Sequence, residues 1–441
     1  MRPLALHDDD REMLRLAVPA FAALVSEPLF LLADTAVVGH LGTDPLAALA
    51  LAATVLQTVV GLCIFLAYGT TATVGRRLGA GDLRGALADG VSGGWLALLL
   101  GAGLATALAV GAHPLTELFA VSSSVADQAG AYLLVAAPGL PAMLVVLAAT
   151  GVLRGLQDTR TPLVVLVAAN VVNIVLNVAF VYGLDLGLTG SALGTTLAQT
   201  GAAVAMTAAV VRAARRHGAR LGLHPRGVLH AARSGVALFV RTLTLRIVLL
   251  VSTAVAGALP AASLAAQQIV VTVVSALAFA LDAIAIAGQA TTGRHLGAGD
   301  VASARRTTRR MMAWGAVTGT IAGLGLLVVS PWLAWAFTED REVRSAAVGA
   351  LVVAALVQPL SGVVFVLDGV LIGAGDGRYL AWAGVLTLAA YIPCAVAVVV
   401  AGGGLVWLWV AYGTWILARG VTLVLRERSD AWLVTGAVHA G

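Results

Sequence analysis

The chain has 441 residues, 60% hydrophobic and only 11% charged, where a soluble domain carries roughly a quarter charged residues, and its mean hydropathy is +0.95. This balance excludes a soluble enzyme or binding module and predicts an all-α polytopic membrane protein. The net charge of +5 rests on 27 basic residues, all arginine; basic residues beside apolar spans set membrane orientation, so no nucleic-acid partner is expected.

The opening MRPLALHDDDREMLRL puts three consecutive acids where a secretion signal needs positive charge, so the first apolar span is expected to be retained. Apolar runs long enough to cross about 30 Å of hydrocarbon as helices lie near residues 14–39, 46–75, 86–111, 125–153, 161–182 and 188–211. A second set lies near 234–257, 262–292, 308–330, 345–373, 379–401 and 404–425. Several exceed the bilayer thickness, which implies tilt or bending. Pro19 and Pro28 each remove a hydrogen bond from the first span and permit a bend there. Between the sets, residues 212–233 hold six arginines with His217, His224 and His230, as a cytoplasmic connector would. The predicted organisation is an N-terminal six-helix lobe (1–211), the connector, and a C-terminal six-helix lobe (234–441). Cys63 and Cys394 both sit in apolar runs and read as core residues.

Of the arginines, 23 fall at the N-terminus, in alternate loops and from Arg419 onward, whereas only Arg341 and Arg344 fall on the opposite side. The asymmetry predicts a multi-pass protein of the cell membrane with both termini in the cytoplasm. Arg241 and Arg246 lie within the seventh span. Arg241 can snorkel toward the cytoplasmic face, and the deeper Arg246 is expected to pair with Asp282 or Asp368, holding that acid ionised.

Three segments recur at one offset of 218 residues. TAVVG (35–39) matches TAVAG (253–257), RRLGAGD (76–82) matches RHLGAGD (294–300), and GVLRGLQD (151–158) matches GVLIGAGD (369–376). Pro141 and Pro359 pair at the same offset. The chain therefore reads as a duplicated six-span unit. Because six is even, both halves enter the membrane the same way round, as pseudo-symmetric bundles related by an axis along the membrane normal and flanking a cleft. Within the repeat, GAGD has neither a following GK[ST] nor a preceding strand, so it reads as a tight turn whose Asp82 or Asp300 caps the next helix rather than as a phosphate loop.

An ionised Asp at the bilayer centre costs roughly 3 kcal/mol on insertion scales, which marks intramembrane acids as functional candidates. Asp34, Asp282 and Asp368 stand out, with Glu27 a weaker fourth. At the repeat offset they correspond to Ser252, Ile64 and Thr150, so the acids occupy positions where the halves diverged. In the fifth span Asn170, Asn173 and Asn177 share one helical face, and in the sixth Thr195 and Gln199 lie one turn apart. These groups either bind helices together by hydrogen bonds or surround Asp34 and tune its proton affinity. Gln57, Asn170, Gln199, Gln267 and Gln268 are further polar side chains placed to line a substrate cleft.

Taken together, LADTAVVGHLG in span one, RxLGAGD after spans two and eight, RGLQDTRTPL before span five and DGVLIGAGD ending span ten resemble the multidrug and toxic compound extrusion (MATE) family. NVVNIVLNVAFVYGLDLGLTGSALGTTLAQ and AAQQIVVTVVSALAFALDAIAIAGQATTGRHLGAG are most similar to its DNA-damage-inducible protein F branch. The resemblance implies an antiporter that expels small organic, often cationic, compounds in exchange for protons or sodium ions, working as a monomer among membrane lipids without a cofactor. Asp34 matches the family's cation-coupling acid in span one, and Asn173 and Thr195 match polar partners around it. Asp368 matches an acid of a second-lobe cation site. Asn177 departs from several relatives, which carry an acid there. Sodium needs several oxygen ligands whereas a proton needs one carboxyl group, so protons are favoured.

Two other functions bear on the same residues. A flippase for lipid-linked cell-envelope precursors would favour a basic cleft, for which the spans offer Arg241 and Arg246. An enzyme is poorly supported, since only His40 and His113 of the eight histidines lie near outer span ends and no metal-ligand spacing or Ser/His/Asp grouping converges.

Overall fold

The computed structural model describes residues 8–119 and 121–437; residues 1–7, 120 and 438–441 of the expected lobes lie outside them. Among the described residues, twelve helices are long and apolar enough to cross a membrane. They are α1 (Asp8–Gly39), α2 (Thr43–Gly79), α3 (Leu83–Glu117), α4 (Ser123–Gly155), α5 (Arg160–Gly183) and α6 (Gly187–Arg216). In the second set, α7 (Pro225–Ala258), α8 (Ala261–Gly297) and α9 (Val301–Phe337) precede α10 (Arg341–Gly373), α11 (Gly377–Val400) and α12 (Leu405–Arg428). Most outrun the apolar run that predicts them, most clearly α7 and α9. An apolar run measures hydrocarbon thickness, whereas a helix continues into the headgroup layer, where arginine is both solvated and a good helix former.

Local chemistry explains the irregular stretches. α1 is helical straight through Pro19 and Pro28. α2 breaks at Cys63, whose backbone sits at φ −85°, ψ 3°, and the repeat-equivalent stretch of α8 around Asp282 is unbroken helix. α4 passes through a 3-10 turn at Ala137–Gly139, which contains Pro138, and α5 closes in a π-helical turn, Ala179–Gly183.

Two compact units emerge. One comprises Ala22–Gly235 and the other Met1–Phe21 with Val236–Gly441. The first turns of α1, assigned to the N-terminal lobe from sequence, thus group with the second unit. Asp10 there accepts hydrogen bonds from the Arg310 guanidinium and, at 2.9 Å, from Trp314 Nε1, and Glu12 meets Arg294 at 2.7 Å. The connector belongs to the first unit: Trp95 Nε1 donates to Leu221 O at 3.0 Å.

Both units carry the same scaffold at equivalent positions. A Cβ on Gly151 would meet Ala67 O at 2.3 Å, and one on Gly369 would meet Ala285 O at 2.3 Å; the two carbonyls are themselves repeat partners. Only glycine lets these helix backbones approach so closely, which is how apolar helices gain packing energy in lipid. The GAGD turns cap helices as predicted: Asp82 accepts from Gly85 N at 2.8 Å and Asp300 from Ser303 N at 2.9 Å. Hydrogen bonds from Gly85 N–H and Arg77 hold the Asp82 carboxyl below the usual carboxylate range. The repeat-equivalent turns at Gln157 (φ 66°) and Gly375 (φ 79°) adopt one left-handed conformation with different residues.

Around each unit, leucine, valine and isoleucine side chains lie exposed, as a lipid-facing surface requires. In the second unit, exposed Trp332 and Trp335 lie near the end of α9, exposed Trp407 near the start of α12 and exposed Trp382 near the start of α11, as interfacial tryptophans do.

Candidate functional site

The first unit gathers its polar side chains around Asp34. This residue lies within α1 and is 4% exposed. Its Oδ1 accepts a hydrogen bond from Asn177 Nδ2 on α5. The second hydrogen of that amide goes to Asn173 Oδ1 at 3.1 Å, one helical turn away, and Asn173 Nδ2 donates to Thr195 Oγ1 of α6 at 3.0 Å. One face of α5 therefore links α1 to α6 through a chain of amides, and among the described residues no arginine or histidine pairs with Asp34. Asn177 Oδ1 is buried without a protein hydrogen-bond partner, because it packs against the backbone of Gly194. Tyr132 of α4 is buried beside Thr195 and Asp34. Sequence gives no sign of it, because a lone tyrosine in an apolar span carries no pattern.

Asn170, on the same face of α5, does something different. It donates to Ser26 O at 3.0 Å and so ties α5 to α1 through backbone. Tyr182 adds a second tie, its hydroxyl donating to Val37 O. Of the other cleft candidates, Gln57 and Gln268 are exposed, Gln199 is half-buried, and Gln267 is buried with its Oε1 accepting from Trp409 Nε1 at 2.8 Å. Glu27 is exposed and Asp282 half-buried.

The second unit treats its acid in the opposite way. Asp368 of α10 is 5% exposed and forms ion pairs with Arg241 of α7 and, at 3.4 Å, with Arg419 of α12. Two expectations are corrected. Arg246, expected to take Asp282 or Asp368, is exposed and pairs with no acid among the described residues. Arg241 is buried in the pair rather than snorkelling. Arg419, counted from sequence with the cytoplasmic arginines, is buried inside α12, and its position within the apolar run 404–425 was the signal available.

At the position equivalent to Asp34, Ser252 shares a hydrogen bond with the Tyr391 hydroxyl, and Tyr391 stands where the first half has Asn173. The rings continue: Tyr391 to Trp415 at 6.3 Å, Trp415 to Tyr412 at 5.1 Å, and Tyr412 to Trp409 at 5.0 Å. One half has filled this depth with amides around an acid, and the other with aromatics.

Known proteins match the chain along most of its length. The family described as MatE matches twice, over residues 19–179 and 237–397, and the two matches stand 218 residues apart, the register of the internal repeat. The Arabidopsis thaliana protein DETOXIFICATION 44, chloroplastic, is 30% identical over 392 residues, covering 85% of this chain and 74% of that protein. DNA damage-inducible protein F of Escherichia coli (strain K12) is 27% identical over 379 residues, with 84% and 82% covered. Among solved structures, the Vibrio cholerae MATE transporter VcmN superposes with a TM-score of 0.86 at 21% identity, covering 95% of this chain and 96% of that one. At that identity the match speaks for the fold.

Proposed function

Because the chain belongs to the MatE family, whose members are transporters and not enzymes, we propose that it exports small organic compounds, drugs or toxins among them, across the cell membrane in exchange for protons, with Asp34 as the exchanging group. The observation that carries this reading is a buried carboxyl group with one amide donor and no cationic partner among the described residues. A carboxyl so placed is neutral when it holds a proton and suits its apolar helix. When the proton leaves, the charge is met by the Asn177 N–H alone, so the two states differ in energy by enough to drive a rearrangement. Asn173 and Thr195 keep that amide oriented by holding its second hydrogen-bonding direction.

The oxygen supply favours a proton over sodium. Asn173 Oδ1 is committed to Asn177, and Thr195 Oγ1 to Asn173. With Asn177 in place of a second acid, Asp34 is the one carboxyl group of the cluster, which suits a single proton better than a hard cation that draws on several charged oxygens. The asymmetry of the arginines supports cytoplasmic termini, and a single chain holding both units supports action as a monomer.

Reconstituted in liposomes, the protein should expel an organic compound under a pH gradient and not under a sodium gradient alone. Asp34→Asn, folded by its thermal unfolding profile, should abolish the pH-driven flux. Transport driven by sodium at constant pH, or unaltered coupling in Asp34→Asn, would overturn the assignment.

A further inference from the structure

α1 and α7 are the two helices that pass from one compact unit into the other, and they stand at equivalent places in the repeat. Their leading turns are held differently. Those of α1 are clasped by the second unit, through Asp10 on Arg310 and Trp314 and through Glu12 on Arg294. At the equivalent places α7 has Val228 and His230, and the first unit has Ser92, Leu96 and Arg76 where the second has Arg310, Trp314 and Arg294. The acids of the clasp are missing. Beneath the leading turns of α7 runs a crevice lined by Phe65, Gly69, Leu96, Gly227, His230 and Ser234, with room for about two water molecules.

The charge on this side is of one sign. The chain has no Asp or Glu between Asp185 and Asp282, and within that stretch Arg212, Arg215, Arg216, Arg220, Arg226 and Arg233 are all exposed. None of these forms an ion pair among the described residues, whereas Arg77, Arg294, Arg310 and Arg426, on the same side of the membrane by helix parity, each hold an acid. Four of the exposed arginines also share faces with apolar side chains. Arg226 and Arg233 alternate with Leu229 and Val236 at three- and four-residue spacing on one exposed face of α7, and Arg212 and Arg215 continue the exposed face of α6 that carries Val204 and Ala208. A guanidinium beside an apolar neighbour fits the layer where lipid phosphates meet acyl chains. Membrane orientation needs only the number of arginines, and acids nearby contribute little to it. It accounts for neither the missing acids nor the shared faces.

We propose that the end of α6, the connector and the first turns of α7 form a surface that binds anionic phospholipid headgroups, the guanidiniums holding phosphate while Leu229 and Val236 enter the acyl layer. The lipid is the external counterpart of the acids that clasp α1. Bound there, it fixes the leading turns of the crossing helix that has no ion-pair clasp of its own. The inference goes beyond the export reading and does not depend on it, since Asp34 plays no part.

The full chain, stripped of lipid in detergent and returned to a mixture of phosphatidylglycerol and phosphatidylcholine with matched acyl chains, would be examined for bound lipid by native mass spectrometry. Phosphatidylglycerol should be retained over phosphatidylcholine by at least about tenfold, and raised salt should reduce that preference. Arg226→Gln/Arg233→Gln should lose most of it, each arginine near an anionic surface being worth about fivefold in affinity. Arg341→Gln/Arg344→Gln removes the same charge on the opposite side and should keep it. His230→Glu, which gives α7 the acid that α1 has at that place, should weaken retention by offering the arginines an internal partner. In nanodiscs, phosphatidylglycerol should raise the unfolding midpoint of the native chain and not that of Arg226→Gln/Arg233→Gln. Should that pair fail to fold, Arg212→Gln/Arg215→Gln takes its place with the same expectation. Equal retention of the two lipids, unaltered preference in the substituted surface, equal loss in Arg341→Gln/Arg344→Gln, or full displacement by soluble glycerol phosphate at matched concentration would overturn the proposal. Asp34→Asn should bind the lipid as the native chain does, so failure of the export reading leaves this one standing, and the reverse.

Discussion

Asp34 and Asp368 are both buried carboxyl groups on helices of a duplicated fold, yet one meets an amide and the other two guanidiniums. The difference teaches that burial by itself does not define an acid's task. Beside arginines, the charge on Asp368 is compensated where it stands and the group works as a fixed anion. Beside Asn177, the Asp34 charge is poorly compensated, and the group can exist in two forms whose relative energy responds to what comes near. The two acids stand at different repeat positions, Asp34 opposite Ser252 and Asp368 opposite Thr150, on a scaffold whose turns and close glycine contacts are shared.

The contrast can be broken most severely at Asp34. Asp34→Asn should reduce pH-driven transport to the level of empty liposomes, and Asp34→Asn combined with Ser252→Asp should not restore it, because the second unit offers Ala395 where Asn177 would be needed. Next in size, Arg241→Gln should destabilise the protein by about 3 kcal/mol in thermal or denaturant unfolding, since it strips a buried ion pair of one partner. The double variant Arg241→Leu/Asp368→Leu should lose less than the single one. Smaller and equal effects in both units test the shared scaffold: Gly151→Ala and Gly369→Ala should each cost about 1–3 kcal/mol by forcing a methyl group against a carbonyl oxygen. Unequal losses would show that the equivalence is only formal. Asn170→Ala should cost about 0.6 kcal/mol, the typical value for a hydrogen bond between membrane helices, and should leave coupling intact, unlike Asn177→Ala. At the small end, Gln157→Gly should stabilise the first unit by less than about 1 kcal/mol, bringing its left-handed turn to the chemistry that Gly375 already supplies.

Much of the fold is legible in the amino-acid order because lipid simplifies the problem: hydropathy marks the spans, and the 218-residue register pairs them. The Asp34 cluster is half legible. Asn173 and Asn177 share a face by spacing alone, but Asn170 lies on that face too and turns out to hold backbone. Spacing fixes a direction around a helix and not the partner found there. Arg241 and Arg246 show the complementary failure. Depth along α7 recommended Arg246, yet five residues turn a helix by about 140°, and rotation decided which arginine faces Asp368. Arg419 and the aromatic rings were hidden for a further reason: their meaning comes from what the first half lacks at the same places, and that difference is visible only once α12 is seen to bring them beside Asp368.

The grip of Arg310 and Trp314 on Asp10 joins residues 300 and more positions apart in the chain. During synthesis at about 5–20 residues per second, the acid waits roughly 15–60 s for its partner to be made. The leading turns of α1 are therefore fastened late, since Glu12 too waits for Arg294. Assembly of the first unit has to proceed with one end of α1 still loose.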